Sequence, residues 1–589
     1  MRLTKPARSL GLLLACTLPI ACSDDGEQMP ETGTTVELSE TAEDPSESSG
    51  ELPDMGSTED TDTETTDTEA TDTEDTDTGE PPPEDEAPPA VDICEDIEVP
   101  LYALRWNVSE GYWIQDLTTP GAPGNMERLE DISGLADPLG GATQESAFSG
   151  HWGVHHVDVG GGSFGVAVQD FVGAPFGPLT QLEGIEPRPD HRFFLSPDDS
   201  ALAVYSSEGA DEIWVAPLDE GLGGATQVPD TPSRLTWPAF SPEGRLFYGG
   251  SSPGVMNPNP VQQLYGVDII DGVPQAPVEL TELPDDVLGV VSIEQFTKYG
   301  LFFSLRYEGS GNGILMRAEL SSYPEVSVAQ MQPSTLDENN YWTIADDGSR
   351  MVWIHGSVDG LLGTAELIEV VAGQALEPQP FTAPEDIRFR SGVLSRNQRF
   401  ALFSSASNGG TVYAADLDAQ EPTAATPVGA IKLEIFAESM VSAGDWFAWR
   451  TQNGQMQAIY AGEELGETQT FTAPGEVVDG EGGTGFGADP CGLLYYRIPA
   501  ANQLWLVDLS GAEAGEPQLL EHMLDMGHTH SGLLFASPMD ERVFYGTYGD
   551  ASFGWELDLL GGEPVALYGP VEGPATRWVL AGHHMLDSP

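Results

Sequence analysis

Positively charged side chains are scarce in this chain. Its 589 residues include 22 Lys and Arg against 96 Asp and Glu, which gives a formal net charge of −74. Three of the basic residues are lysines: Lys5, Lys298 and Lys432. A charge of this sign repels phosphate backbones, so we expect no nucleic-acid partner. The acid excess bears on solubility and on attraction of cations, and it does not specify a fold.

Long hydrophobic runs are also missing. The apolar run near the amino terminus covers residues 10–15 and is interrupted by Gly11, so it is too short to cross a membrane as a helix. Arg2, Lys5 and Arg8 precede it, and small residues follow. This is the layout of a secretory signal, which we assign to residues 1–22.

Cysteine is scarce, with four in the chain, and two of them follow that apolar run. The segments ending at Cys16 and Cys22 both resemble the lipobox of bacterial lipoproteins, in which the signal is cut before a cysteine that receives lipid. Cys22 is favoured for lipidation because Ser23 and two aspartates follow it, although Pro19 departs from the pattern. Cys16 is the alternative, and an ordinary cleaved signal stays open. The resemblance implies a protein that touches the membrane through its lipid anchor only. It would lie at the outer membrane or cell surface, and the periplasmic face of the membrane is the alternative location.

The other two cysteines, Cys94 and Cys491, fall in the body of the chain. An exported protein meets oxidising conditions, so a disulfide between them is permitted. The alternative is a pair of small buried residues. Two thiols at this separation do not form a zinc site.

Residues 23–90 have no basic and no aromatic side chain but contain 25 acidic ones. A segment so poor in apolar residues cannot offset its chain entropy by burial, so we predict a disordered linker. Its like charges extend it. The expected role is a stalk that holds the body, residues 91–589, away from a membrane.

The body contains no convincing amphipathic helix of ten or more residues, which excludes parallel βαβ architectures. A repeat is present instead, at intervals of about 45 to 55 residues. Its clearest copy is FLSPDDSALAVYSSEGADEIWVAPL from Phe194 to Leu218, and a second begins FSPEGRLFYGGSS at Phe240. Each copy is a turn, an apolar strand, a polar loop and another apolar strand. The turn survives without its proline at Ala345 to Gly348, and Arg396-Asn397 replaces the acidic pair in a further copy.

These turns, together with closing strands such as IWVAPL, LYGVDI and LWLVDL, resemble the TolB-type, WD-repeat-like β-propeller. The resemblance implies a ring of four-stranded blades and a protein- or ligand-binding role, and it transfers no catalytic residue. The sequence therefore predicts an all-β body forming a single β-propeller, with eight blades as the first choice and seven as the next. Two smaller propellers are a weaker alternative. Nine or ten units can be found, and the chain ends are expected to combine in one closing blade.

Histidines suggest one possible site. Eight of the ten lie in three groups, of which the first opens an early unit and the others belong to the last. If a ring brings these units together, His155, His528 and His530 become candidate ligands of a divalent metal. The alternative is ordinary histidines at turns and strand edges. No cofactor is otherwise implied.

One further motif bears on catalysis. Gly161 to Gly165 matches G-x-S-x-G, yet its serine lies between two strand candidates, where a nucleophile elbow needs a helix to follow.

The leading functional hypothesis is a monomeric, lipid-anchored envelope module that binds a protein or a polymer such as a polysaccharide. The alternatives are a metal-dependent propeller enzyme, a lyase or hydrolase, and a structural surface component.

Overall fold

The fold is taken from a computed structural model. It describes residues 102–107, 111–117, 119, 126–128, 147–148, 152–160, 163–170, 179–207, 211–218, 224–231, 235–251, 262–280, 290–306, 313–333, 340–356, 363–383, 389–405, 410–431, 440–473, 476–478, 486–488, 492–498, 503–519, 529–537, 542–548, 551–558, 565–572 and 577–581. All of them belong to the unit that contains Ala90–Pro589. Within these ranges the regular structure is β-strand throughout, without a helix. The predicted all-β class is confirmed.

The strands of the first half form antiparallel sheets in chain order, which we number 1 to 5. Sheet 1 contains β1 (Tyr102–Asn107), β2 (Gly111–Asp116) and β3 (Met126–Arg128); sheet 2 contains β4 (Ala147–Phe148), β5 (Trp152–Gly160), β6 (Ser163–Asp170) and β7 (Thr180–Gln181). Sheet 3 contains β8 (Arg192–Leu195), β9 (Ala201–Ser206), β10 (Glu212–Pro217) and β11 (Thr226–Gln227). Sheet 4 contains β12 (Ala239–Phe240), β13 (Leu246–Ser251), β14 (Gln262–Val267) and β17 (Val278–Glu279), with a hairpin of β15 (Ile269–Ile270) and β16 (Val273–Pro274) inserted. Sheet 5 contains β18 (Val290–Thr297), β19 (Gly300–Arg306), β20 (Gly313–Glu319) and β21 (Ser327–Gln330).

The second half continues the series with sheets 6 to 10. Sheet 6 contains β22 (Asn340–Ile344), β23 (Arg350–His355), β24 (Thr364–Val371), β25 (Gln374–Ala375) and β26 (Gln379–Pro380). Sheet 7 contains β27 (Phe389–Leu394), β28 (Phe400–Ser405), β29 (Thr411–Asp416) and β30 (Thr426–Ala430). Sheet 8 contains β31 (Met440–Ala443), β32 (Trp446–Arg450), β33 (Met456–Tyr460) and β34 (Gln469–Thr470). Sheet 9 contains β35 (Phe486–Ala488), β36 (Leu493–Ile498), β37 (Gln503–Asp508) and β38 (Gln518–Leu519); sheet 10 contains β39 (Thr529–Ser537), β40 (Arg542–Tyr548), β41 (Ala551–Asp558) and β42 (Val565–Glu572). The last strand, β43 (Arg577–Ala581), returns to sheet 1 and pairs with β1 from Tyr102↔Ala581 to Trp106↔Arg577.

The central strands are buried on both faces, which explains why they read as continuous apolar runs. All six residues of β9 are buried. Leu202 and Val204 pack with residues of sheet 2, whereas Ala203 and Tyr205 pack with residues of sheet 4. Because successive side chains of a strand point to opposite faces, one strand supplies two separate cores.

The same arrangement repeats along the chain. A hydrophobic core lies between each consecutive pair of sheets from sheet 2 to sheet 9. First strands lie beside each other, as β4 does beside β8 and β8 beside β12. Four-stranded meanders stacked in series, with the first and last described strands joined in one sheet, are the blade arrangement of a β-propeller.

Candidate functional site

Packing covers both broad faces of sheets 3 to 8, so the turns and edges of these sheets remain for recognition. In an antiparallel meander the turn between strands one and two and the turn between strands three and four lie at the same end. We call this end the turn face. Its described connections are 196–200, 241–245, 297–300, 345–350, 395–399 and 443–445 for the first turn, and 268–277, 320–326, 372–378, 417–425, 461–468 and 509–517 for the second.

The first turn has the same geometry in several sheets. In sheet 3 the Ser196 hydroxyl donates to Asp198 Oδ1 at 2.7 Å and accepts from the Ala201 amide at 2.9 Å. In sheet 7 Ser395 makes the equivalent bonds, to Asn397 at 2.6 Å and from the Phe400 amide at 2.9 Å. The position after the Asp, Glu or Asn of the turn is left-handed in these copies: φ is 59° at Asp199, 81° at Gly244, 73° at Gly348 and 62° at Gln398. The repeated SPDD-type turn predicted from the sequence is therefore confirmed, including its copies without Pro.

Hydrogen bonding also sets the charge state of these turns. Burial disfavours the ionised form of Asp198, but hydrogen bonds from Ser196 and Ser200 outweigh it and lower its pKa. A carboxylate that accepts several hydrogen bonds stays charged. The turn thus keeps a fixed negative charge at the surface.

Basic residues of the turn face connect neighbouring sheets. Lys298 Nζ of sheet 5 lies 2.8 Å from Asp347 Oδ2 of sheet 6. Arg350 of sheet 6 donates to the Gln398 carbonyl at 3.2 Å and to Asp418 Oδ1 at 2.7 Å, both in sheet 7. These contacts fix the turns of adjacent sheets relative to each other.

A further set of contacts joins sheets 7 and 8. Asn397 Nδ2 donates to the Gly462 carbonyl at 2.7 Å, and Arg399 donates to the Glu463 carbonyl. Arg399 also binds Asp416 of its own sheet through Nε at 3.1 Å and Nη2 at 2.8 Å. That bidentate pairing lowers the pKa of Asp416.

Acid exceeds base within these described connections. The basic residues are Arg245, Lys298, Arg350, Arg396 and Arg399. The acidic ones are Asp198, Asp199, Glu243, Asp268, Asp271, Glu325, Asp346, Asp347, Glu377, Asp418, Glu421, Asp445, Glu463, Glu464, Glu467, Glu513 and Glu516. Arg245, Lys298, Arg350 and Arg399 each pair with an aspartate, and the bond from Arg245 to Asp268 measures 2.7 Å. The turn face therefore presents a negative surface to any partner.

Two surface cavities open on this face between sheets 6, 7 and 8. The first has a volume of about 560 Å³ and is lined by Leu376, Glu377, Pro378, Gln379, Pro380 and Thr423. The second has a volume of about 550 Å³ and is lined by Arg399, Phe400, Ala414, Asp416, Ala419, Gln420, Glu421, Ala424, Thr426, Glu464 and Leu465. The connection between β29 and β30 contributes to both. We call the pair of cavities the turn-face groove.

The predicted metal site is only partly covered by the described residues. His155 lies on β5 and is 1% exposed, whereas His528 lies outside the described residues. His530 is on β39 of sheet 10. Sheet 1 follows sheet 10 along the chain through β43, and it precedes sheet 2 through β1 to β3. In the described parts of the chain no group of three or more His, Cys, Asp or Glu has the geometry to hold a metal ion. The three-histidine site stays a prediction.

The described structure instead brings together two histidines that the sequence analysis did not pair. His156 follows His155 on β5 and faces sheet 3, where its ring lies 6.0 Å from His191 and 4.6 Å from Phe193. Burial, reinforced by the charge of the neighbouring His191, lowers the pKa of His156 to about 4. Burial likewise lowers the pKa of His191 and of His155 to about 4. These imidazoles are neutral at pH 7 and act as core side chains.

The remaining sequence candidates have different outcomes. Ser163 of the G-x-S-x-G match begins β6, and Gly160↔Ser163 closes a hairpin with β5, so no helix follows it. Cys16, Cys22, Cys94 and Cys491 lie outside the described residues, and the predicted lipidation and disulfide are not tested. In the described part of the chain, no helix has the length and hydropathy needed to cross a membrane.

Comparisons with known proteins give only distant structural similarities. No protein-family profile and no curated protein sequence matches the chain. Among solved structures, the Dos1 propeller is similar at 11% identity and a TM-score of 0.35, over 64% of this chain and 91% of that one. The periplasmic gluconolactonase PpgL of Pseudomonas aeruginosa is similar at 15% identity and a TM-score of 0.27, over 61% and 93%. A protein assigned as TolB from Agrobacterium tumefaciens is similar at 15% identity and a TM-score of 0.24, over 47% of this chain and 88% of that one. The fold assignment therefore rests on the sheet order and the cores between sheets.

Proposed function

We propose that the protein is a lipid-anchored β-propeller of the cell envelope that binds a protein or a polymer through its turn face. The observation that carries the proposal is the charge arrangement of that face. Its few cations pair with aspartates, several of them in neighbouring sheets, and exposed acidic side chains surround the groove. A rigid negative surface selects partners that carry positive charge and accelerates their encounter.

The proposed body is a single closed ring. Pairing of β43 with β1 supports closure, because it places the two ends of the body in one sheet. The described strands form ten sheets of four or five strands, which supports a ring of ten blades rather than the predicted eight or seven. End-on class averages in electron microscopy of the full chain would count the blades: ten supports this ring, and eight overturns it.

The proposed anchor is a lipid on Cys22, with Cys16 as the alternative. The acidic segment 23–90 would then act as the tether between membrane and body. Mass spectrometry of the mature amino terminus tests this directly. A lipid-modified cysteine supports the anchor, and an unmodified end at any other residue contradicts it.

Crosslinking in intact cells tests the binding role. With a photoreactive residue at Gln420, which is exposed on the turn face, we expect one or a few discrete partners. Capture should weaken as salt rises from about 0.15 M to 0.5 M, since screening shortens the reach of the acidic surface. Crosslinks only between copies of this chain would favour a structural coat and contradict the proposal.

The enzyme alternative has its own readout. Metal analysis of the purified full chain, with and without His528→Ala and His530→Ala, would detect the predicted site. Stoichiometric metal lost in those variants would favour a metal-dependent enzyme. Chain purified without metal, with capture of partners unchanged in the variants, would favour the binding module.

A further inference from the structure

The turn-face groove is bordered by a hairpin that exposes aliphatic side chains. Val371 at the end of β24 is 56% exposed and Leu376, just after β25, is 44% exposed. The two-residue turn between these strands, Ala372 and Gly373, has φ values of 48° and 73°, as tight β-hairpins require. Exposure alone does not mark a contact surface, but an exposed aliphatic side chain that also lines a cavity, as Leu376 does, offers an apolar contact to a partner.

The turn of this hairpin lies close to the neighbouring sheet. A Cβ added at Gly373 would lie 1.7 Å from Arg317 Nη1 of sheet 5, so glycine is needed for the close approach. The Leu376 amide donates to the Glu369 carbonyl at 2.8 Å. The hairpin that carries the aliphatic pair is therefore bonded to β24 and lies close to Arg317 at its turn.

The wall shared by the two cavities is also fixed by backbone hydrogen bonds. The Thr382 amide of sheet 6 donates to the Thr423 carbonyl at 2.8 Å, and the Ala425 amide donates back to the Thr382 carbonyl at 2.7 Å. The connection between β29 and β30 thus forms a rigid ridge from one cavity to the other.

Polarity alternates along the groove. Leu376 and two prolines line the first cavity, and Leu465 lines the second together with the buried Phe400. Exposed Glu377, Glu421 and Glu464 stand beside these apolar side chains. The cation of the groove, Arg399, is already bound to Asp416.

We propose that this groove is the docking site for a protein segment in which Lys or Arg side chains flank an aliphatic or aromatic residue. The apolar residue packs on the Leu376 side of the ridge, and the flanking cations reach the glutamates. Charge complementarity decides the occupant, because a second copy of this acidic chain would be repelled. The inference rests on the proposed binding function and names its site.

A second hairpin provides a matched control. The hairpin of β15 and β16 has the same two-residue turn, and Ile270 and Val273 are 56% and 46% exposed. The Gln275 amide donates to the Asp268 carbonyl at 2.8 Å, the equivalent of the Leu376 bond. Its aliphatic pair lines neither cavity.

Fluorescence anisotropy with the full chain tests the site. The probe is a labelled nine-residue peptide with Lys at alternate positions and Leu between the central lysines. Val371→Ser with Leu376→Ser should weaken binding about tenfold, whereas Ile270→Ser with Val273→Ser should stay within about twofold. Thermal melting of each variant verifies that these surface changes leave the fold intact.

A charge series completes the test. Glu377→Gln, Glu421→Gln and Glu464→Gln together should weaken binding about tenfold and reduce its salt dependence. The control is Glu325→Gln, Glu513→Gln and Glu516→Gln, which lie on the turn face outside the groove and should change binding about twofold.

Three outcomes would overturn the groove. Equal losses in groove and control variants would show general attraction to acid without a docking site. A cationic polysaccharide bound in place of the peptide would contradict a protein occupant. Cellular partners captured at Gln420 with unchanged yield in the groove variants would refute the groove while leaving the proposed binding function standing; absence of any partner would refute that function instead.

Discussion

At the residue scale, side chains in this chain are placed by the alternation of its strands. His155 and His156 are consecutive on β5, so they lie on opposite faces, and only His156 meets His191. The sequence pattern instead suggested a metal site that combines His155 with His528 and His530 of the last unit. The sequence could not show that His191, just before β8, is the partner, because that depends on the register between sheets 2 and 3.

Acid should destabilise the protein through these buried histidines. Their folded pKa of about 4 lies below the unfolded value of about 6.5. Between these values the unfolded state binds more protons, so stability falls as pH drops from about 6.5 to 4. Protonation of each histidine in the unfolded state lowers the free energy of unfolding by about 3 kcal/mol at most.

The check is the free energy of unfolding by denaturant from pH 7 to pH 4. His156→Phe, which suits the neighbouring Phe193, should flatten the pH dependence. An unchanged slope in this variant would show that the buried imidazole does not titrate on unfolding.

Glycines in the first turn give a second residue-level prediction. Gly348 and Gly244 are both left-handed, but a Cβ at Gly348 would lie 2.5 Å from Thr297 Oγ1, while nothing lies within 4 Å at Gly244. Gly244→Ala should cost about 1 kcal/mol from backbone strain alone. Gly348→Ala should lower the free energy of unfolding by roughly 1–2 kcal/mol more, because the added methyl overpacks against Thr297, and thermal melting compares the two variants. Equal losses would contradict the contact between sheets 5 and 6.

At the element scale, each central strand serves two cores. The sequence predicted the turn and the strands of each unit, since turn chemistry and apolar runs are local signals. It did not predict the inserted hairpins of sheets 4 and 6, although Asp271-Gly272 is a local signal for a tight hairpin turn. It also did not predict the turn-face groove, which depends on which connections of adjacent sheets lie together, as Thr382 and Ala424 do. Such adjacency has no local signature.

Double-mutant cycles test the division of one strand between two cores. Leu202 on β9 shares a core with Val168 of sheet 2, whereas Leu246 belongs to the core between sheets 3 and 4. Leu202→Ala should cost about 2–5 kcal/mol. The losses from Leu202→Ala and Val168→Ala should not be additive, because the two side chains share a core. The losses from Leu202→Ala and Leu246→Ala should add to within about 0.5 kcal/mol.

A surface position gives the baseline for those measurements. Tyr341→Ala, at a side chain that is 53% exposed on β22, should change stability by less than about 1 kcal/mol. Coupling of Leu202 to Leu246 as strong as that to Val168 would contradict separate cores.

At the scale of the whole molecule, sheets that cannot bury their own faces support one another in series. In the described residues, hydrophobic cores lie between consecutive sheets from sheet 2 to sheet 9. The pairing of β43 with β1 joins the first and last described strands of the body. Ion pairs also join neighbouring sheets, as Lys298 does with Asp347 and Arg350 with Asp418. Most of the remaining acidic side chains of the turn face are exposed to solvent. A body of this kind offers its turns as a fixed, negative recognition surface.

Removal of the last strand should therefore weaken the entire body. A chain that ends at Glu572 lacks β43 and leaves β1 with one neighbour, β2. An unpaired strand edge invites association between copies. We expect a lower melting temperature and concentration-dependent oligomers in light scattering, and a chain ending at Ala581 is the control. Identical melting of the two truncated chains would argue against closure.

Hydrogen–deuterium exchange of the full chain tests the joined ends most directly. If β43 completes sheet 1, amides in residues 577–581 and 102–107 should be protected to a degree comparable with β9 and β10 in sheet 3, since all lie in paired strands. Exchange of residues 577–581 within seconds, while β9 and β10 stay protected, would contradict the closed series of sheets.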